Sequence, residues 1–537
     1  CVATSRSPKP QEFKLLAVRT QTLIMETTWV LLFLSLSLSL CIALAFLLKP
    51  NKCKRRLPPG PPAVPLLGNL LWLNHSLTDI EAVLRDLRPR YGPIVTLRIG
   101  SRISIFVSDP HLAHKALVEH GAAFADRPTP LPASRFLGND RHNITTASYG
   151  PVWRLLRRNL VSETLHPSRM KLFAGARAWV LGVLTSKLRA EADREAAGVV
   201  VMETFQFSMF CLLVLMCFGE KLDEEAVTAI EVASRDLLLF SSQLNAFAFF
   251  PRIGKYLLRR KWNTVLELRQ RQKDRFLPLI RARREHKMTK QDDNERFVHS
   301  YVDSLLDVEI AEEGGRKLTD DELVGLCSEF MNAGTDTTST ALQWIMAELV
   351  RHREVQERLW QEVAAVAGSE AEEVREEDLH RMPYLKAVVM EGLRRHPPAH
   401  FVLPHAVSED VTLAGYDIPK GATVNFMVAE MGWDEGVWEE PLEFKPERFL
   451  EGGAGHGVDV TGSRAIKMMP FGVGRRVCAG LGPAMLHLEY FVANLVKEFE
   501  WKAVAGEEVD LSEKTEFTVV MKHPLHARLL PRKKNYS

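Results

Sequence analysis

One short stretch concentrates unusual chemistry: Phe471-Gly-Val-Gly474-Arg-Arg476-Val-Cys478-Ala-Gly480. Glycines on both sides of a single cysteine let the backbone take left-handed turns and approach a flat ligand closely. Cys478 stands just before an apolar helical stretch, with Pro483 where a first turn tolerates it. A thiolate there gains from the positive end of the helix and from free backbone N–H groups, which lower its pKa and tune its electron donation. Arg476, two residues earlier, can fork onto a carboxylate. A buried inert cysteine beside a Gly-rich turn is the bland alternative, and it accounts for a lone cysteine better than for this spacing.

A second group lies on a long helix. Thr319-Asp-Asp-Glu322 is a capping box that opens a helix reaching about His352. Leu323, Leu326, Phe330, Gly334, Thr337, Ala341 and Ile345 fall on one stripe at helical spacing. A glycine and a threonine interrupt it where a packing helix would place bulk. The Thr337 hydroxyl can bond back to the carbonyl of Ala333 and open a polar notch. Further on, Glu391 and Arg394 are three apart on one helix face and can pair. Trp153 and Arg157 share a face at i, i+4.

Together these pieces resemble the cytochrome P450 family. The cysteine loop is similar to its haem-binding loop F-x-x-G-x-R-x-C-x-G, although Ala479 stands where many plant members carry Pro. The resemblance implies haem b with Cys478 as the axial ligand of its iron. It places Phe471, Gly474 and Gly480 in the loop, and Arg476, Trp153, Arg157 and His405 around the propionates. Ala333-Gly334-Thr335-Asp336-Thr337-Thr338 resembles the family's oxygen-activation motif, so Thr337 and Asp336 are expected to manage protons, with Gly334 leaving room above the metal. Phe444-Lys-Pro446-Glu-Arg448-Phe449 resembles the motif whose Arg448 completes a cluster with Glu391 and Arg394. Such a buried triad fixes geometry more than it adds stability. By family position, segments 135–149 and 235–251 and residues Phe330, Ala333, Gly334, Phe401, Val402 and Phe517 are expected to meet substrate.

The elements that must position these residues are mainly helical, with small β-sheets. Helical periodicity runs through about 150–240, 319–352 and 353–396. Ile94–Ile99 and Arg102–Val107 alternate as a β-hairpin, short strands are expected near 411–426 and at the C-terminus, and Glu451–Ser463 is a Gly-rich loop. Residues 1–24 read as an extension without a folded role, and residues 25–56 as a single-pass anchor with a basic flank. Trp29–Leu48 is a 20-residue run without a charge, enough to cover the ~30 Å of a bilayer core. Lys49, Lys52, Lys54, Arg55 and Arg56 after it would stay cytosolic. A cleaved secretory signal is the rival reading, because Ala43-Leu44-Ala45 imitates its cleavage site. Residues 57–70 form a stiff Pro-rich hinge, and 71–537 one catalytic domain.

Composition excludes several other classes. The 537 residues carry a net charge of only +2, which supplies no basic field for nucleic acid. Seven scattered cysteines without a CxxC pair make neither a disulfide framework nor a structural zinc site. No nicotinamide or flavin fingerprint is present, so electrons must come from outside. The resemblance, closest to plant A-type microsomal members of the 89A subfamily, implies a monooxygenase at the endoplasmic reticulum membrane, with its catalytic domain cytosolic. NADPH–cytochrome P450 reductase would supply the electrons, and O2 and a lipophilic small molecule would be the substrates. The basic helix with Arg154, Arg157 and Arg158 is the expected docking face. A reductase-independent haem-thiolate isomerase or lyase, and a non-catalytic haem sensor, are the competing readings. The Asp336-Thr337 pair argues against the former.

Overall fold

A computed structural model describes residues 29–41, 55–63, 68–69, 77–99, 102–130, 139, 142–194, 198–241, 243, 254–289, 299–368 and 371–532. The expected extension (1–24), part of the anchor, and parts of segments 135–149 and 235–251 lie outside them. Residues 29–41 are helical, and among the described residues no helix is long and apolar enough to cross a membrane.

Helix dominates. The principal helices are α1 (Leu77–Tyr91), α2 (Pro151–Asn159), α3 (Ala174–Arg194), α4 (Met202–Phe218), α5 (Glu224–Ser241), α6 (Arg259–Thr289), α7 (Asp320–Arg351), α8 (Arg353–Ala367), α9 (Pro383–Arg395), α10 (Val428–Gly432) and α11 (Leu481–Glu498). The periodic stretch 150–240 is thus several helices, interrupted at Pro167 and by a short strand before α4. Proline cannot donate to the preceding turn, and His166 takes an extended conformation that ends the helix.

α7 is the axis of the fold. Thr319 and Glu322 cap it reciprocally, as the sequence predicts, and its 32 residues span about 48 Å at ~1.5 Å each. α4 packs along it. All but two of the residues Met202–Phe218 are buried, and the sequence is largely apolar, so this helix is enclosed on nearly every side. α3, α7, α9 and α11 contribute to the same large core.

Besides the two-residue antiparallel pair Glu309–Ile310 and Arg316–Lys317, the described strands are β1 (Ile94–Ile99), β2 (Arg102–Val107), β3 (Val199–Val200), β4 (His405–Ala406), β5 (Val411–Leu413), β6 (Tyr416–Ile418), β7 (Thr423–Phe426), β8 (Phe499–Ala503), β9 (Glu513–Thr515), β10 (Val519–Met521) and β11 (His526–Pro531). β1 and β2 pair antiparallel with Ile99 opposite Arg102, which bears out the hairpin. The four-stranded sheet has the order β1-β2-β7-β4, a three-stranded sheet β8-β11-β3, and β5-β6 and β9-β10 are separate hairpins.

The described part of the Pro-rich stretch is strapped to this body. Thr96 N–H donates to Pro59 O at 2.8 Å, and Asp417 N–H donates to Arg56 O at 2.7 Å. Arg55 pairs with Asp410 at 2.9 Å. Two of the basic residues after the apolar run are therefore engaged by protein.

Candidate functional site: a cysteine loop facing the central helix

Cys478 lies in a loop that closes on itself. Its N–H donates to Phe471 O at 2.9 Å, and Val477 N–H donates to Gly474 O at 3.0 Å. Gly474 has φ +77°, and a Cβ there would stand 2.1 Å from Leu117 O, so only glycine fits. α11 begins at Leu481, directly after the loop. Cys478 is accessible to solvent, yet protein surrounds it so closely that burial pushes its thiol up. Both hold for a side chain that protein encloses at longer range with little packed directly on it. The Gly480 N–H and the Arg157 charge pull the other way, so the depressed thiol expected from the helix end is not the net result.

Around this cysteine the structure collects buried and half-buried bases. Arg476 donates to the carbonyls of Ala125 (2.8 Å), Ile144 (3.3 Å) and Ala147 (2.6 Å), and lies over Trp153 at 4.3 Å. Trp153 is buried and donates to Ile144 O at 3.0 Å. Arg157 turns inward and donates to Val477 O at 2.6 Å, bracing the residue before the cysteine. It therefore does not belong to an outer docking face; Arg154 and Arg158 remain exposed. His405, buried, places Nδ1 2.6 Å from Phe124 O. Burial, Arg127 and Arg476 push His405 down to about 3.

Arg127, which sequence reasoning missed, completes the group. It donates to Thr145 O at 2.9 Å, Leu403 O at 2.7 Å and Pro404 O at 2.9 Å. Burial lowers Arg127 to about 10 and Arg476 to about 9, the latter helped by repulsion from Arg127 and Arg157. None of these three arginines forms an ion pair with a carboxylate among the described residues. Their hydrogen-bond partners are carbonyl oxygens, while Asp126 and Glu329 attract Arg127, and Asp126 attracts Arg476, without direct ion pairs. One thiol beside a cluster of cations that lack a directly bound carboxylate fits a flat dianionic tetrapyrrole with a sulfur-ligated metal.

Across the fold, Thr337 Oγ1 donates to Ala333 O at 2.7 Å, the predicted back-bond. Ala333 is exposed and Thr337 half-buried on a helix otherwise deeply enclosed, so both border interior space. Asp336 does not join Thr337. It binds Arg235 of α5 at 3.1 Å and Gln206 of α4 at 3.3 Å, and burial raises its pKa although Arg235 opposes this.

The residues expected to meet substrate have these surroundings. At Gly334 a Cβ would lie 2.3 Å from Leu213 Cδ1, so its missing side chain admits α4. Phe401 packs on Phe106 with ring centroids 6.2 Å apart and bridges Met427, within the small core beneath β1. Val402 lies against the cysteine loop, where a Cβ on Gly472 would meet it at 3.5 Å. Phe330 packs at 5.0 Å on Tyr301. Phe517 is 48% exposed at the β9–β10 turn, and the next residue, Thr518, meets Thr340 of α7 at 2.9 Å.

The predicted triad forms. Arg394 donates to both oxygens of Glu391 (2.7 and 2.8 Å), and Arg448 reaches Glu391 at 3.2 Å. The remaining guanidinium donors go to the carbonyls of Gly432, Glu439, Glu440 and Pro441. Arg394 also lies 5.3 Å over Trp438, whose indole N–H donates to Lys467 O at 3.2 Å, on the segment leading into the cysteine loop.

The cytochrome P450 family model matches residues 58–530. The chain belongs to the cytochrome P450 family. It is 48% identical over 522 residues to cytochrome P450 89A9 of Arabidopsis thaliana, covering 95% of this chain and all of the relative. It is 32% identical to an Arabidopsis flavonoid 3'-monooxygenase, over 89% of this chain and 92% of that one. A zebrafish cytochrome P450 structure with progesterone superposes with a TM-score of 0.70 at 23% identity, covering 84% of this chain and 99% of that one, which supports the fold. As a family member this P450 is a haem-thiolate monooxygenase.

Proposed function

We propose that this P450 inserts one oxygen atom from O2 into a lipophilic small molecule, with electrons from NADPH delivered by a membrane-bound reductase. When bound, haem supplies the oxygen chemistry, and cysteinate ligation favours O–O cleavage over reversible binding. The chain's own residues do the rest. Cys478 presents sulfur, while Arg127, Arg157 and Arg476, with Trp153 and His405, hold the propionates. Thr337 holds a proton donor at Oγ1 in the notch of α7. Asp336, tied to Arg235, relays protons only when that pair opens. The single observation that carries the reading is the set of three arginines, hydrogen-bonded to carbonyl oxygens rather than to carboxylates, collected around Cys478.

The exposed Arg154 and Arg158 offer a docking face to an acidic flavoprotein. Residues 25–56 tether the protein to the endoplasmic reticulum membrane, the catalytic domain (71–537) being cytosolic. Helix 29–41 supports this: its side chains are exposed and apolar, and Ser35, Ser37 and Ser39 bond back to carbonyls of their own helix. The strapped 55–63 segment, within the Pro-rich 57–70 stretch, then fixes the attitude of the body to the bilayer.

The test is NADPH-dependent O2 uptake by haem-loaded protein with purified reductase, during a lipophilic-metabolite screen for ferric Soret shifts. Substrate-stimulated, salt-sensitive uptake is the expected result. Turnover of a peroxide without reductase, or spectral binding without uptake, would replace the reading with an isomerase or a sensor.

A further inference from the structure

Away from the cysteine, five acids and bases alternate through the interior. His396 Nε2 lies 2.7 Å from Glu348 of α7, and the ring stacks on Trp344 at 4.2 Å. His400 Nδ1 lies 2.6 Å from Glu81 of α1, with Trp433 at its edge. The opposite ring nitrogens, His396 Nδ1 and His400 Nε2, are buried without a hydrogen-bond partner. Both face one residue: Glu513 Oε1 stands 3.7 Å from the first and Glu513 Oε2 3.6 Å from the second.

Glu513 opens β9, whose turn into β10 carries Phe517 and Thr518 to α7. β10 has its own backbone anchors, Val519 N–H to Pro398 O at 2.8 Å and Trp344 Nε1 to Val519 O at 2.9 Å. We propose that Glu513 is a positioning residue, and that the second protons on His396 and His400 decide whether it holds the β9–β10 turn against α7.

The argument is a count of donors. An ionised carboxylate only accepts, so each ring must spend one N–H on its first acid, Glu348 or Glu81. A neutral imidazole then shows Glu513 a lone pair, and an imidazolium shows it an N–H. Burial pushes Glu513 up, but His396, His400 and Arg395 outweigh it and hold the acid below the usual carboxylate range; Glu348 is held low in the same way by His396. The other charges facing the chain are accounted for. His352 and Arg395 flank Glu348, Arg85 pairs with Glu81 and Glu430, and Arg88 pairs with Glu430.

Hydrogen exchange of the full chain, read by mass spectrometry on residues 513–521 at about pH 6 and about pH 8.5 and corrected for intrinsic rates, tests this. Wild-type protection should fall roughly tenfold at the higher pH, the scale of one charge-assisted hydrogen bond. Glu513→Gln should be weakly protected at both, and Glu513→Asp should recover part of the pH dependence. Protection that is flat with pH in the wild type, or a Glu513→Gln protein that keeps the wild-type dependence, overturns the proposal. Should Glu513→Gln not fold, the wild-type series and Glu513→Asp decide. The readout needs no turnover, so a failure of monooxygenase activity would leave its result standing.

Discussion

Glu391→Gln isolates what the Glu–Arg–Arg triad contributes. Glu391 and Arg394 are completely buried and Arg448 nearly so. Oε1 of Glu391 accepts from Arg394, Arg448 and the Lys445 N–H, and Oε2 accepts from the Arg394 Nε–H. The amide substitution keeps the volume but removes the only carboxylate that pairs with these two guanidinium groups among the described residues, and it aims an NH2 at one of them. Breaking a buried pair in this way costs about 3–5 kcal/mol, most of it from the charge left unpaired. Urea unfolding of haem-loaded protein should therefore show a loss of that size. Because Arg394 touches Trp438 and Trp438 holds the Lys467 carbonyl, haem retention should fall as well. A loss below about 1 kcal/mol, the scale of an exposed pair, would refute the claim that the triad is a sealed electrostatic unit.

Thr337→Ala removes the hydroxyl that bonds to Ala333 O, so a several-fold larger share of consumed NADPH should end as hydrogen peroxide; unchanged coupling would count against Thr337 as the proton donor. Arg127→Leu should speed haem loss to apomyoglobin by roughly tenfold or more, as one charge-assisted contact would; an unchanged rate removes Arg127 from the propionate site. His487, buried on α11 beside Arg177, is pushed down to about 3, chiefly by burial. Its depressed folded pKa means that the unfolded chain takes up the proton first. Its stabilising effect is complete above the unfolded value near 6.5 and is lost as pH falls towards 3, about 2 kcal/mol between pH 7 and pH 5. Urea midpoints of His487→Phe should accordingly depend less on pH over that window, and an identical slope would show that His487 is not the titrating group.

What could be read in advance was chemistry held in one contiguous stretch. The cysteine loop, the capping box on α7 and the Thr337 back-bond all depend on neighbours within a few residues. What could not be read in advance has the opposite property. Gly334 packs on Leu213, on another helix; the signal was the largely apolar run Met202–Phe218, which must be enclosed by its neighbours. Arg127 sits in Phe124-Ala-Asp-Arg-Pro128, which reads as an ordinary charged loop because its acceptors come from Thr145, Leu403 and Pro404. Trp153 and Arg157 were identified from spacing on one helix face, but only the fold shows that Arg157 turns to Val477. Asp336 is next to Thr337 in the chain, and the hundred-degree step between successive helical residues sends it to Arg235 instead.

The account rests on Cys478 giving its sulfur to haem iron, and the dithionite-reduced, CO-treated spectrum of hemin-loaded wild type beside Cys478→Ser measures this directly. Wild type should show the red-shifted Soret band of a thiolate ligand and the serine variant should lose it while still binding haem. A serine variant that keeps the band, or a wild type that never shows it, contradicts the account.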